Sequence, residues 1–68
     1  MNRRRVGNRI RQCRRERRLT EKNLADRSGV SQKVISQLEG GIYKKVTGRL
    51  LLLLARALRV RFGALIDD

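Results

Sequence analysis

Residues 20 to 39 read TEKNLADRSGVSQKVISQLE. Thr20 is a good helix N-cap, and Glu21 suits the positive end of the helix dipole. Leu24 and Ala25 then face inward. The helix they start, about residues 21–28, stops near Ser28, because Gly29 readily adopts the left-handed conformation that ends helices. Val30 packs inward and Ser31 caps the next helix, about residues 32–39. Val34, Ile35 and Leu38 share its buried stripe, leaving Gln32, Lys33, Ser36 and Gln37 on the wet face. The segment is two short amphipathic helices joined by a tight turn, the second with a polar outer face suited to the DNA major groove.

Outward from this unit the spacing predicts three more helices. Val6, Ile10 and Cys13 follow an i, i+4, i+7 rhythm on an arginine-rich segment from about Arg4 to Arg18. Leu19 closes that segment against the core. Gly7 weakens the helix by up to about 1 kcal/mol relative to Ala. Gly40-Gly41 ends the helix of residues 32–39, and Ile42 to Val46 form a loop carrying Lys44 and Lys45. Thr47 caps a fourth helix running to about Arg59. Its five successive leucines, Leu50 to Leu54, cover every face, so part of that surface is either exposed or buried by a partner. Val60, Phe62, Leu65 and Ile66 predict a short fifth helix. The expected fold is all-α, five helices in one compact domain over residues 6–66, preceded by a basic arm at residues 1–5.

The chain has 68 residues, 18 Lys plus Arg against 6 Asp plus Glu, and a net charge of +12. An excess this one-sided favours a polyanion, nucleic acid or an anionic membrane surface. Nine of the 18 basic residues fall within the first 18 positions. A domain this short buries only about 60% of its unfolded surface, so its core is small. Histidine is absent and Cys13 is the one cysteine. An internal disulfide, a metal cage and the usual acid–base catalyst at neutral pH are therefore not expected, nor is a cofactor or an enzymatic activity. Cys13, on the apolar stripe of its helix, reads as a small core residue. The leucine run is far shorter than the roughly 20 apolar residues that span a bilayer. No apolar segment follows the basic N-terminus as in a signal peptide. A cytoplasmic, nucleoid-associated protein without a membrane partner is the expectation.

The pattern Leu24-Ala25, Gly29-Val30-Ser31, Ile35, Leu38-Glu39 resembles the Cro and lambdoid-repressor type of helix-turn-helix protein, the Xre-like family. Ile10-Arg11 to Leu19-Thr20 before it and Leu54-Ala55-Arg56-Ala57-Leu58 with Val60 after it extend the likeness to about residues 6–66. The resemblance implies a lambda-repressor-like domain. In it Ala25 is small where the two helices cross, Gly29 makes the turn and Ile35 wedges the second helix onto the first. It implies that the helix beginning at Gln32 lies in the major groove, with Gln32, Lys33, Ser36 and Gln37 reaching base edges. Gln suits adenine and Lys suits guanine. From their charge and position, Ser31, Lys44 and Lys45 and an arm of Arg3, Arg4 and Arg5 are expected to contact phosphate. An arginine of the first helix pairs with the glutamate ending the recognition helix in some relatives, which implies an Arg14–Glu39 pair. Two departures stand out. Many relatives place Gln where this chain has Glu21, and a carboxylate there repels phosphate. The loop of residues 40–46 lacks the usual proline and is about one residue longer.

These readings lead to a sequence-specific, double-stranded-DNA-binding regulator of transcription. Repression by promoter occlusion is the simplest mode for so small a protein. A homodimer on a (pseudo)palindromic operator is expected, with half-sites about one helical turn apart. Leu51, Leu54, Leu58, Val60, Phe62 and Ile66 are its expected interface, the alternative being that all of them are monomer core. A second reading is an antitoxin- or coactivator-like module that uses the same fold to bind a protein partner. RNA is a third, opposed by the scarcity of aromatics for stacking bases. Disruption of membranes is a poor fit to a chain patterned as a packed globule.

Overall fold

The computed structural model describes residues 2–66. Five helices follow one another: α1 (Arg3–Glu16), α2 (Glu21–Ser28), α3 (Gln32–Glu39), α4 (Gly48–Leu58) and α5 (Gly63–Ile66). No strand occurs among the described residues. α1 packs on α3, α4 and α5, while α2 packs on α3 and α4.

Side chains start the first four helices. Asn2 Oδ1 accepts from the Arg4 N–H at 2.9 Å and the Arg5 N–H at 3.2 Å. Thr20 and Asn23 form a reciprocal capping box, Thr20 Oγ1 accepting from the Asn23 N–H at 3.0 Å and Asn23 Oδ1 from the Thr20 N–H at 3.1 Å. Ser31 and Thr47 cap α3 and α4 by accepting from Val34 and Leu50 N–H groups at 3.2 and 3.1 Å. Each such cap contributes about 1 kcal/mol.

The cap on Asn2 corrects one expectation. Arg3, Arg4 and Arg5 are the first turn of α1, not a separate arm, so no boundary falls at residue 5. Three cations at a helix N-terminus oppose the dipole. The asparagine oxygen offsets this by satisfying two backbone donors that would otherwise lack partners. Met1 lies outside the described residues.

The core comprises Val6, Ile10, Leu24, Val30, Ile35, Leu38, Leu51, Leu54, Ala55, Leu58 and Leu65. Burying each large aliphatic contributes about 1.5–3 kcal/mol. Leu51, Leu54 and Leu58 belong to this core at 1%, 0% and 0% exposure. They are therefore not available to a second copy, and their assignment to a dimer interface is corrected. They lie three and four residues apart, on the one stripe of α4 that faces α1 and α2. Val60, Phe62 and Ile66 are half-buried and pack against the edge of the core. Among the described residues the large exposed apolar side chains are Ile42, at 67%, and Leu52, at 39%.

Gly7 does more than weaken α1. A Cβ built on it would overlap the Leu38 carbonyl oxygen and stand 3.1 Å from that of Glu39. α1 and α3 therefore cross backbone to backbone, which fixes the pose of α3.

Candidate nucleic-acid interface

α3 carries its apolar residues inward and its polar ones outward. Gln32, Lys33 and Ser36 are exposed and Gln37 is half-buried. Lys33, Ser36 and Gln37 are three and four residues apart and so share one face, with Gln32 on its edge. Beneath them Ile35 is fully buried, and Ala25 is half-buried on α2, the helix packed against α3. Gly29, at φ 76°, supplies the left-handed residue of the turn. The Ser31 hydroxyl accepts from the Val34 N–H, which leaves its own proton to donate outward.

The C-terminal end of α3 is fixed as tightly as its start. Gly41 adopts φ 75°, its N–H donates to the Leu38 carbonyl and the Ile42 N–H donates to the Gln37 carbonyl, both at 3.0 Å. This is the Schellman arrangement. Gly41 also abuts α1, a Cβ there coming 3.3 Å from Arg4 Cα. The first turn of α1, with exposed Arg3, Arg4 and Arg5, therefore sits beside the end of α3, near the loop that carries exposed Lys44 and Lys45. The structure brings the first turn of α1 to the end of α3, although the arm pictured for the arginines is absent.

A buried ion cluster locks α3 in place. Arg14 meets Glu39 in a two-pronged pair, Nε to Oε2 at 2.7 Å and Nη2 to Oε1 at 2.9 Å. Arg14 Nη1 also donates to the Leu19 carbonyl at 2.8 Å, tying in the α1–α2 turn. Arg11 is a partner that the sequence reading missed. Its Nε reaches Glu39 Oε1 at 3.2 Å and its Nη2 the Glu39 carbonyl at 3.4 Å. Its i, i+3 spacing to Arg14 was the available signal.

Glu39 is only 3% exposed. Burial pushes its pKa up, but the hydrogen bonds and charges of Arg14, with Arg11, outweigh this and hold it below the ordinary carboxylate value. The same pair raises Arg14 further. Glu21 turns out to belong to this cluster. Its pKa is raised by burial and by the neighbouring Glu39 carboxylate. Cys13 packs against the core, and burial followed by the charge of Glu16 raises its thiol pKa, so it stays protonated.

The geometry is that of two helices fixed at a tight turn, the second presenting polar side chains amid cations. A helix-turn-helix (HTH_3) family model matches residues 10–65. The chain belongs to this helix-turn-helix family. It resembles the crystal structure of an HTH_3 family transcriptional regulator from Vibrio cholerae, with TM-score 0.89 and 28% identity. That match covers 96% of this chain and 36% of the Vibrio chain. It also resembles a chain of the SinR protein/SinI protein complex, with TM-score 0.86 and 27% identity, covering 93% of this chain and 61% of that one. No curated protein matches it in sequence. The domain is therefore of the helix-turn-helix type found in a transcriptional regulator, and it spans less than two thirds of the length of these structural relatives. Among the described residues no helix is long and apolar enough to cross a membrane.

Proposed function

We propose that the protein is a sequence-specific, double-stranded-DNA-binding regulator of transcription. α3 enters the major groove and Gln32, Lys33, Ser36 and Gln37 read base edges. The observation that carries this reading is the exposed polar face of α3, held rigidly by the Arg14–Glu39 pair in a chain of net charge +12. Ser31, Lys44, Lys45, Arg3, Arg4 and Arg5 contact phosphate and supply a salt-dependent hold on the backbone. Occlusion of a promoter, and so repression, is the simplest consequence for a domain of this size in the cytoplasm.

A lone domain spans few base pairs, so two copies act on a (pseudo)palindromic operator. With Leu51, Leu54 and Leu58 in the core, the contact between copies falls on Leu52 together with the half-buried Leu53, Val60, Phe62 and Ile66. The second reading is that the same surface takes a different protein, as an antitoxin- or coactivator-like module. The SinR protein/SinI protein complex among the structural relatives supports this reading.

Selection of bound sequences from a random duplex pool tests the main reading. Enrichment of one site is expected. Lys33→Ala or Gln37→Ala then costs about 1–3 kcal/mol on that site and little on random DNA. An equal loss on every sequence would remove base reading from these side chains.

A further inference from the structure

Ile42 is 67% exposed, an apolar side chain left in water beside the polar face of α3. Its position is not that of a loose loop residue. Gly40 keeps right-handed helical geometry at φ −79° and ψ −6°, so it continues the turn of α3. Lys33, Ser36, Gln37 and Gly40 are spaced three, four and seven residues from the first and lie on one face. Gly40 brings no side chain to that face. The chain then reverses at Gly41 and returns, with the Ile42 N–H bonded to the Gln37 carbonyl at 3.0 Å. A Cβ placed on Gly40 would lie 4.0 Å from Ile42 Cγ1. The isoleucine therefore covers the empty place over Gly40 and extends the stripe begun by Lys33 by one apolar side chain.

We infer that Ile42 is a specificity-determining residue that recognises a thymine by contact with its C5-methyl group. This rests on the major-groove reading proposed above. The methyl of thymine is the one apolar group that a base pair shows in the major groove. The surroundings of Ile42 favour DNA over an apolar protein partner as its cover. Ile42 follows the polar face of α3, which carries Lys33, Ser36 and Gln37, and precedes the exposed Lys44 and Lys45 of the loop, a cationic and polar stretch suited to a polyanion. Its backbone is held by the Schellman bonds, so little freedom is lost when it docks.

The test pairs a methyl deletion on each side. The site selected by the full-length protein is resynthesised with each thymine replaced in turn by deoxyuridine, and binding is measured for wild type and Ile42→Ala. At one thymine the methyl loss should weaken the wild type roughly fourfold, the effect of burying one methyl group. The same replacement should leave Ile42→Ala nearly unchanged. Thermal melts of the variant confirm folding, since an exposed side chain contributes little to it. If every deoxyuridine penalty is the same in both proteins, or the site holds no sensitive thymine, the inference fails. It fails alone when Lys33→Ala still changes the selected site. A wild type that enriches no sequence overturns both this inference and the base-reading proposal.

Discussion

At the scale of single residues, Gly7 and Glu39 decide how α3 is held. Gly7→Ala sets two effects against each other. Helix propensity favours alanine by about 1 kcal/mol. Against it, the new methyl meets the Leu38 carbonyl, which belongs to backbone and cannot swing aside. Overpacking of that kind costs about 1–3 kcal/mol and more where backbone must move. A net loss of about 2 kcal/mol is expected in chemical denaturation, and a gain would show that the crossing is loose. Glu39 is the buried charge of the cluster, so Arg14→Ala strands it and should cost about 3–5 kcal/mol. Arg11, whose side chain is 40% exposed, is the weaker partner, and Arg11→Ala should cost well under half as much. Equal losses would mean that the two arginines share the carboxylate evenly. The pH dependence has two opposite parts. The pKa of Glu39 is lowered on folding, so its stabilisation is present above the unfolded carboxylate pKa and is lost as pH falls through the lower folded value. The pKa of Glu21 is raised, so its contribution is present at low pH and is lost as pH rises through the raised value. Glu21→Gln removes the second charge beside Glu39 and offers an amide donor in its place. It should therefore stabilise the domain near neutral pH, by up to about 1 kcal/mol, and not below the carboxylate range. The same gain at every pH would exclude charge as its cause.

At the scale of elements, the ends of the helices separate what the sequence makes legible from what it does not. The unit α2–turn–α3 is legible because Thr20, Gly29, Ser31 and Gly40-Gly41 are all residues with strong positional preferences and stand just where caps and breakers are needed. α1 and α4 end differently. Arg18 and Arg59 both adopt φ 57°, and each closes a Schellman pattern: Leu19 N–H to the Arg14 carbonyl, and Val60 N–H to the Ala55 carbonyl, both at 3.0 Å. Arginine has no preference for that conformation, so α1 reads as running on to about Arg18 although its helix stops at Glu16. Tertiary contacts impose these ends, since Leu19 and Val60 pack against the core just beyond them. The site follows the same division. The polar face of α3 is set by periodicity within one element and can be read from it. The Gly7 crossing, the approach of Arg11 and Glu21 to Glu39 and the return of Ile42 over Gly40 join residues distant in the chain or set by a left-handed turn. The strain at the helix ends is testable. A left-handed residue other than glycine costs about 1 kcal/mol or more. Arg18→Gly and Arg59→Gly should each raise stability by about 0.5–1 kcal/mol once the greater chain freedom of unfolded glycine is set against that relief. A fall in the melting temperature of both variants would mean that the arginine side chains contribute more than their backbone strain costs.

At the scale of the whole molecule, the leucine run poses the assembly question in a sharper form than the sequence allows. Five adjacent leucines must point in every direction around α4. Leu51 and Leu54 are taken by the core, Leu50 and Leu53 lie at its margin, and Leu52 is left facing outward. A charge at position 52 therefore tests self-association without touching the fold. Leu52→Asp should leave the thermal melt of the isolated domain within about 0.5 kcal/mol of wild type, as surface substitutions usually do. On duplexes carrying two half-sites of the selected operator, wild type should bind as a cooperative pair and the variant as two independent copies. On a single half-site the two proteins should bind alike. Salt dependence supplies a second reading of the same titrations, because each phosphate contact adds about 0.9 to the slope of log affinity against log salt. The overall constant for loading both half-sites should carry twice the single-site slope in wild type and in the variant alike, since Leu52 makes no phosphate contact. Cooperativity that survives Leu52→Asp with an unchanged slope would move the contact between copies away from α4, and a loss of single-site binding would place Leu52 against DNA instead.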